Sequence, residues 1–203
     1  MPADARAIAK FCDLLTNRQA IADFPGADNG LQYRGKARVR KVGAAVDAGA
    51  KVFAQAARRG IDFLIVHHGM NWPTVSPQAE VRRLRRATLR QAGLSLYSSH
   101  LPLDAHPVIG NNALIAADLG LKVVDWFVDY EGLPIACLCQ GIPRATLKRR
   151  LQKSYPKTFT GIEFGSARPR RIAILSGSGR GALDHLRAEG CDTLITGELL
   201  SLI

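Results

Sequence analysis

Residues 40–69 read RKVGAAVDAGAKVFAQAARRGIDFLIVHHG, and the order of residue types along them decides the fold class. KVGAAV, from Lys41 to Val46, is a short apolar run that predicts a strand. GAKVFAQAARRG predicts a helix stopped by Gly60, and DFLIV predicts a second, fully buried strand. Strand, helix and parallel strand make the unit from which α/β sheets are built. Shifted by 130 residues, the stretch lies without a gap over residues 170–199, RRIAILSGSGRGALDHLRAEGCDTLITGEL. Gly49 falls on Gly179, Gly60 on Gly190, Asp62 on Asp192, Leu64 on Leu194 and Ile65 on Ile195. Any such unit shares the hydrophobic pattern, but the preserved glycines and aspartate favour two copies of one unit. The alignment also sets His67 and His68 against Gly197 and Glu198, at equivalent ends of equivalent strands.

Elements predicted to either side fit the same plan. Ala5 to Leu15 reads as an amphipathic helix with Ile8, Phe11 or Cys12, and Leu15 at helical spacing. Phe24 to Gly35, punctuated by Pro, Asn and glycines, reads as a loop. Ser76-Pro77 reads as a helix start, with the serine capping and the proline at the first helical position. That helix stops at Gly93, and LSLYSS, Leu94 to Ser99, is a further strand. Asn112 to Leu119 is a short helix closed by Gly120. Beyond Val124, PIACLCQG (Pro134 to Gly141) is a strand and Pro143 to Lys153 a helix. The expected architecture is α/β: two related α/β domains with largely parallel mixed sheets, residues 1–123 and 124–203, the second incomplete. Cys137 and Cys139 share one face of their strand, and the simplest reading is a pair of small buried hydrophobes.

The chain has 203 residues, 47% hydrophobic and 22% charged, which excludes disordered and collagen-like classes. Its uncharged apolar runs, such as FLIV and LLSLI, fall far short of the roughly 20 residues of a membrane span. The N-terminus scatters charges where a signal peptide needs an apolar core. With four cysteines and no CxxC pair, the expectation is a soluble protein of the reducing cytoplasm. Twenty-eight Lys and Arg against seventeen Asp and Glu give a net charge of +11. The excess concentrates in Arg34 to Lys41, VRRLRRATLR (Val81 to Arg90), LKRRLQK (Leu147 to Lys153) and RPRR (Arg168 to Arg171). Solvated helix faces are the simplest reading; nucleic acid or a phosphorylated small molecule is the functional alternative.

The strongest chemical constellation is IVHHG followed by SSHLPLDAHP. His67 and His68 come after one buried strand, and His100 after the next. Ligands of open α/β sheets gather beyond the carboxyl ends of strands, so His67, His68, His100 and Asp104 are expected in one space. Adjacent side chains on an extended chain diverge. The two neighbours are therefore expected to hold separate ions a few ångströms apart, bridged by a carboxylate such as Asp104. Histidine and carboxylate ligands suit zinc, iron, manganese, cobalt or nickel. His106 and His185 read as structural or surface residues. SGSGRG, Ser176 to Gly181, is either a phosphate cradle or simply a tight turn. Glu198 and Asp47, each at a strand end, are candidate catalytic proton carriers, with helix capping the competing role for both.

DNGLQYRG, IVHHG, SHLPLDAHPVIGNNALIAADLGL, SGSGRG and DTLITGE occur in that order. In these motifs the chain resembles the NIF-three-like proteins, dinuclear-metal proteins also called GTP cyclohydrolase 1 type 2 homologues, from about Ala22 onward. The resemblance implies paired α/β domains in a ring-shaped homohexamer, with metal pairs facing an inner cavity. It carries metal-ligand roles to His67, His68, His100 and Asp104, with a pair of divalent transition-metal ions in each subunit. It also implies hydrolytic opening of the guanine ring of GTP, an anionic nucleotide; the alternative is a non-enzymatic metal- or nucleic-acid-binding ring scaffold. A further His and Glu, four residues apart, are expected beyond TGE, and the sequence ends at Ile203 before them. The expectation is a C-terminally truncated copy with impaired metal binding, inactive in the extreme case.

Overall fold

The computed structural model describes residues 1–72, 79–130 and 132–198, in two units, Met1–Leu103 and Asp104–Ile203. The predicted helix start at Ser76-Pro77 and the apolar run at 199–203 lie outside the described residues. No described helix is long and apolar enough to cross a membrane.

The first unit opens with β1 (Ala3–Asp4) and α1 (Ala5–Leu15). Asp4 caps this helix, its Oδ1 accepting from the amides of Arg6 at 2.8 Å and Ala7 at 3.3 Å. The buried stripe of α1 is Ala5 and Ala9, flanked by Ile8 and Cys12, whereas Phe11 and Leu15 point outward. The small alanines let the helix lie close on the sheet, so the larger residues one step round lose their contact.

β2 (Gly30–Tyr33), β3 (Arg38–Val39), β4 (Val42–Asp47), α2 (Ala50–Arg58), β5 (Phe63–His68), α3 (Ala79–Ala92) and β6 (Ser95–Ser98) follow. The main sheet has the order β2-β6-β5-β4, while β1 pairs with β3 apart from it. β4, β5 and β6 are parallel, with Val42 beside Phe63, Asp47 beside His68, and Val66 beside Ser98. β2 was expected to be loop; it is an antiparallel edge strand, with Gly30 opposite Ser98 and Leu31 opposite Tyr97. Its turn-rich composition hides four residues that need only one partner strand. Both sheet faces are covered, which explains the continuous apolar run of β5. Leu64, Val66 and Leu96 pack with Phe53 and Leu89 on one face, and Phe63 and Tyr97 pack against α1 on the other.

The remaining elements are α4 (Leu101–Asp104), α5 (Asn111–Asp118), β7 (Val123–Tyr130), β8 (Leu133–Gln140), α6 (Arg144–Ser154), β9 (Arg171–Ser178), α7 (Arg180–Leu186) and β10 (Thr193–Glu198). The second sheet runs β10-β9-β8-β7. Only β10 and β9 are parallel; β9 with β8 and β8 with β7 are antiparallel. The expectation of largely parallel pairing therefore holds for the first sheet and not for the second, because β7 and β8 form a hairpin turning at Gly132. The units divide at Leu103/Asp104, ahead of the 123/124 boundary read from sequence, because α5 packs on the second sheet. Ala116 joins Cys137, Cys139, Ile172 and Ile174 in its core. Burial pushes the Cys137 thiol up to about 12 and Cys139 to about 11, so both behave as hydrophobes.

The internal repeat is structural down to single hydrogen bonds. Lys41 Nζ donates to Arg59 O at 2.9 Å, and Arg171 Nη1 donates to Glu189 O at 3.1 Å. Asp62 accepts from the Arg40 amide, and Asp192 from the Arg170 amide. The helix exits also match: the Ile61 amide reaches Ala56 O at 3.0 Å, and the Cys191 amide reaches Leu186 O at 2.8 Å. Register is shared from Val42 beside Phe63 and Ile172 beside Thr193, and breaks in the second copy between Thr196 and Glu198. The copies therefore diverge at the strand ends, where the first carries its histidines.

Asn112, fully buried, ties the second unit together. Its Nδ2 donates to Ile135 O on β8 at 2.6 Å, and its Oδ1 accepts from the Ser176 amide on β9 at 2.7 Å. Asn112→Ala orphans a buried carbonyl and a part-buried amide, at up to about 1–3 kcal/mol each. Denaturant unfolding is expected to show a loss of about 2–5 kcal/mol; a loss below about 1 kcal/mol would contradict this role.

Candidate metal centre

β5 and β6 end side by side, and each delivers imidazoles at its carboxyl end. His67 and His68 are the last residues of β5, and His100 follows β6 by two positions. Ligand atoms of the three lie within 4.8 Å of one another, the one such His, Cys, Asp or Glu group among the described residues. Ring centroids are 4.9 Å apart for His67 and His68, 4.7 Å for His67 and His100, and 5.7 Å for His68 and His100. The expected divergence of the two neighbours does not occur. Strand pairing of β5 with β6 stops at Val66. Beyond it His67 stays tied to the β6 end by Ser98 Oγ on its carbonyl and Ser99 O on its ring, while His68 lies beside Asp47 of β4. Both rings lie close to His100.

Each imidazole has its Nδ1 on an acceptor. His67 Nδ1 meets Ser99 O at 3.0 Å, His68 Nδ1 meets Asp47 Oδ1 at 2.8 Å, and His100 Nδ1 meets Asp23 Oδ1 at 2.8 Å. A carbonyl or an ionised carboxylate can only accept, so the neutral rings carry the proton on Nδ1. Nε2 is then the nitrogen with the coordinating lone pair in all three. The donor set is one that zinc and its neighbours in the transition series favour.

Asp23 is the most fully engaged group of the site, with a side chain 7% exposed. Oδ1 accepts from His100 Nδ1 and from the Phe24 amide at 2.7 Å. Oδ2 accepts from Asn29 Nδ2 at 2.7 Å and the Leu101 amide at 2.9 Å. Burial alone would raise this carboxyl; hydrogen bonds from His100, Asn29 and Leu101 outweigh it and hold the group below the ordinary carboxylate range. Asn29 Oδ1 accepts from the His100 amide at 2.7 Å. A chain of contacts anchors this loop to the core: Tyr97 donates to Asp13, Asp13 pairs with Arg18, and Arg18 reaches Asn29 O.

The other residues singled out from sequence are placed as follows. Asp47, its side chain 68% exposed, holds His68. Asp104 ends α4, is buried, and accepts from Asn111 Nδ2 at 2.6 Å. Glu198 ends β10, exposed. His106 Nδ1 accepts from the amides of Val108 and Ile109, a structural turn, and His185 is exposed on α7. In SGSGRG, a Cβ at Gly179 would sit 2.6 Å from Thr196 Oγ1, so close packing on β10 accounts for that glycine. Asp23 and Trp72 were not anticipated: a single aspartate ahead of Pro-Gly and a tryptophan beyond HHG carry no periodicity or motif that marks them.

Three imidazoles, each presenting Nε2, at the strand ends of an α/β unit define a site that could hold a metal ion. Residues 4–201 match the Duf34/NIF3 (NGG1p interacting factor 3) family, and the chain belongs to it. It is 39% identical over 176 residues to the GTP cyclohydrolase 1 type 2 homolog of Deinococcus radiodurans, covering 84% of this chain and 66% of that relative. With the homolog from Escherichia coli it shares 37% over 186 residues, covering 90% of this chain and 73% of the relative. Among solved structures, the protein ybgI superposes with a TM-score of 0.84 at 32% identity, over 98% of this chain and 79% of that one. A Thermus thermophilus protein superposes with a TM-score of 0.79 at 34% identity, over 97% and 78%.

Asp23→Asn leaves one acceptor oxygen for four donors, so at least two donors lose their partner, at about 1–3 kcal/mol for each that is buried. The depressed carboxyl stabilises the fold above its unfolded value of about 3.9 and ceases to as pH falls through the folded one. Urea unfolding is expected to show the mutant less stable at neutral pH, the gap narrowing below about pH 4. A gap constant from neutral pH down to about pH 2 would contradict the ionised clamp.

Proposed function

We propose that this protein is a metal-dependent hydrolase acting on a guanine nucleotide or a close relative of one. The observation that carries the reading is the engagement of all three Nδ1 atoms, which leaves Nε2 as the unprotonated nitrogen of each ring in a cluster whose ligand atoms lie within 4.8 Å of one another. A bound divalent transition metal would lower the pKa of water toward about 7 and polarise the bond to be cleaved. The chain's own residues do the rest. His67, His68 and His100 hold the ion, with Asp104 the expected carboxylate ligand and bridge to a second. Asp23 and Asp47 keep His100 and His68 in the ligating tautomer. Asp47, largely in solvent, and Glu198 are the groups proposed to carry protons between the site and water. The relatives' name supplies the guanine-nucleotide class, and family membership supports the ring-shaped homohexamer that native mass spectrometry would detect. Residues 1–103 hold sixteen Lys and Arg against seven Asp and Glu, a field that draws in anions.

One observation favours a second reading, a nucleic-acid-binding scaffold. Arg82, Arg86 and Arg90 recur at intervals of four along the exposed side of α3, and none is in an ion pair among the described residues. Such a row suits a phosphate backbone. The two readings separate on one preparation loaded with zinc or manganese. GTP consumption that stops on chelation, and falls by a factor of about 100 or more in His68→Ala, supports the hydrolase. Turnover indifferent to both treatments overturns it. Polynucleotide binding that weakens steeply with salt, survives chelation and occurs without turnover supports the scaffold.

A further inference from the structure

Nδ1 hydrogen bonds fix which nitrogen of an imidazole is basic, but not the plane of the ring. The last torsion of a histidine side chain is broad, and a ring held only at Nδ1 can still pitch about that bond. Aiming a lone pair therefore needs a second restraint, a contact on the ring face. His67 has such contacts from its neighbours, lying 4.9 Å from His68 and 4.7 Å from His100. Trp72 stands against both of those rings. Its indole stacks on His68 at 4.6 Å with an interplanar angle of 15°, and meets His100 at 4.2 Å, tilted by 56°. One side chain thus bears on two of the three candidate ligands.

The chain holds this indole deliberately in place. The turn from Gly69 to Trp72 closes through the Trp72 amide on Gly69 O at 3.3 Å. The Met70 amide donates to Gln32 Oε1 at 2.8 Å, and Met70 O accepts from Arg85 Nη1 at 2.8 Å. Asn71 Nδ2 donates to Asp28 Oδ2 at 2.6 Å. A Cβ at Gly69 would meet the amide end of the Gln32 side chain, so a larger residue there would push Gln32 off the turn. The segment 23–32 therefore fixes His100 through Asp23 and seats Trp72 through Asp28 and Gln32.

We infer that Trp72 is a positioning residue: its indole, seated by Asp28 and Gln32, sets the ring planes of His68 and His100 so that the three Nε2 atoms converge before an ion arrives. The role rests on the reading of the cluster as a metal site. Outer groups that orient ligating histidines are worth about 10–100-fold in metal affinity, and a face contact on two ligands belongs to that class.

The test uses the full chain in a Trp126→Phe background, which leaves Trp72 as the one remaining tryptophan. Zinc affinity is measured by chelator competition for this protein, Trp72→Ala and Trp72→Phe, with folding checked by circular dichroism. Imidazole ring signals of the metal-free proteins are recorded by NMR. Trp72→Ala is expected to bind zinc about 10–100-fold more weakly and to lose the indole ring-current shift at His68 and His100. Trp72→Phe, which keeps a ring on both imidazoles, is expected to lie closer to the parent than to Trp72→Ala. Equal affinity of Trp72→Ala and the parent overturns the inference, as does a Trp72→Phe as weak as Trp72→Ala. If the parent takes up no zinc, the hydrolase reading fails instead; metal-free ring signals unchanged by Trp72→Ala would then overturn the positioning role separately.

Discussion

An imidazole can coordinate only from the nitrogen that carries no proton, and at this site the surrounding acceptors choose that nitrogen. Ser99 O, Asp47 and Asp23 each take an Nδ1 proton, so three lone pairs are assigned to Nε2 by groups that could not do otherwise. Asp23 bears most of the constraint. It is nearly out of water, and a buried carboxylate survives there only because donors from His100, Asn29, Phe24 and Leu101 saturate both oxygens. The loop that supplies it must arrive at the carboxyl ends of β5 and β6. It does so because β2 runs antiparallel along β6 with Gly30 opposite Ser98.

The repeated strand-helix-strand unit shows how little of a fold is committed to chemistry. Both copies keep the same register at their start, the same glycine exit from the helix and the same lysine or arginine bond to a helix-end carbonyl. Those features place two parallel strands at a fixed spacing. What stands at the ends is free to differ. In the first copy Asp47 lies beside His68 and holds it; in the second the register shifts and Glu198 lies beside Ser178. The scaffold was retained while the strand ends were reassigned.

Much of this was legible in the sequence because it rests on local patterns. β5 reads as a buried strand from FLIV alone, α2 ends where Gly60 requires, and the echo 130 residues later locates β9 and β10. The histidine triad was legible for the same reason, since strand ends converge in α/β sheets. The parts that escaped depend on long-range pairing. β2 has a loop's composition and becomes a strand only because β6 offers an edge. The antiparallel bias of the second sheet follows from the β7–β8 hairpin, which residue types in each strand do not announce. Asp23 acts across 77 residues of sequence on His100, and Trp72 meets the same ring at 4.2 Å. Neither has a neighbour in the chain that reveals its partner.

Everything proposed about the site rests on three Nε2 lone pairs left unprotonated, without help from a metal, by acceptors on each Nδ1. Long-range nitrogen-15 NMR of the imidazoles, on metal-free protein above the histidine titration range, reads this directly. The account predicts His67, His68 and His100 all in the tautomer protonated at Nδ1. A ring protonated at Nε2 at any of the three positions would contradict it.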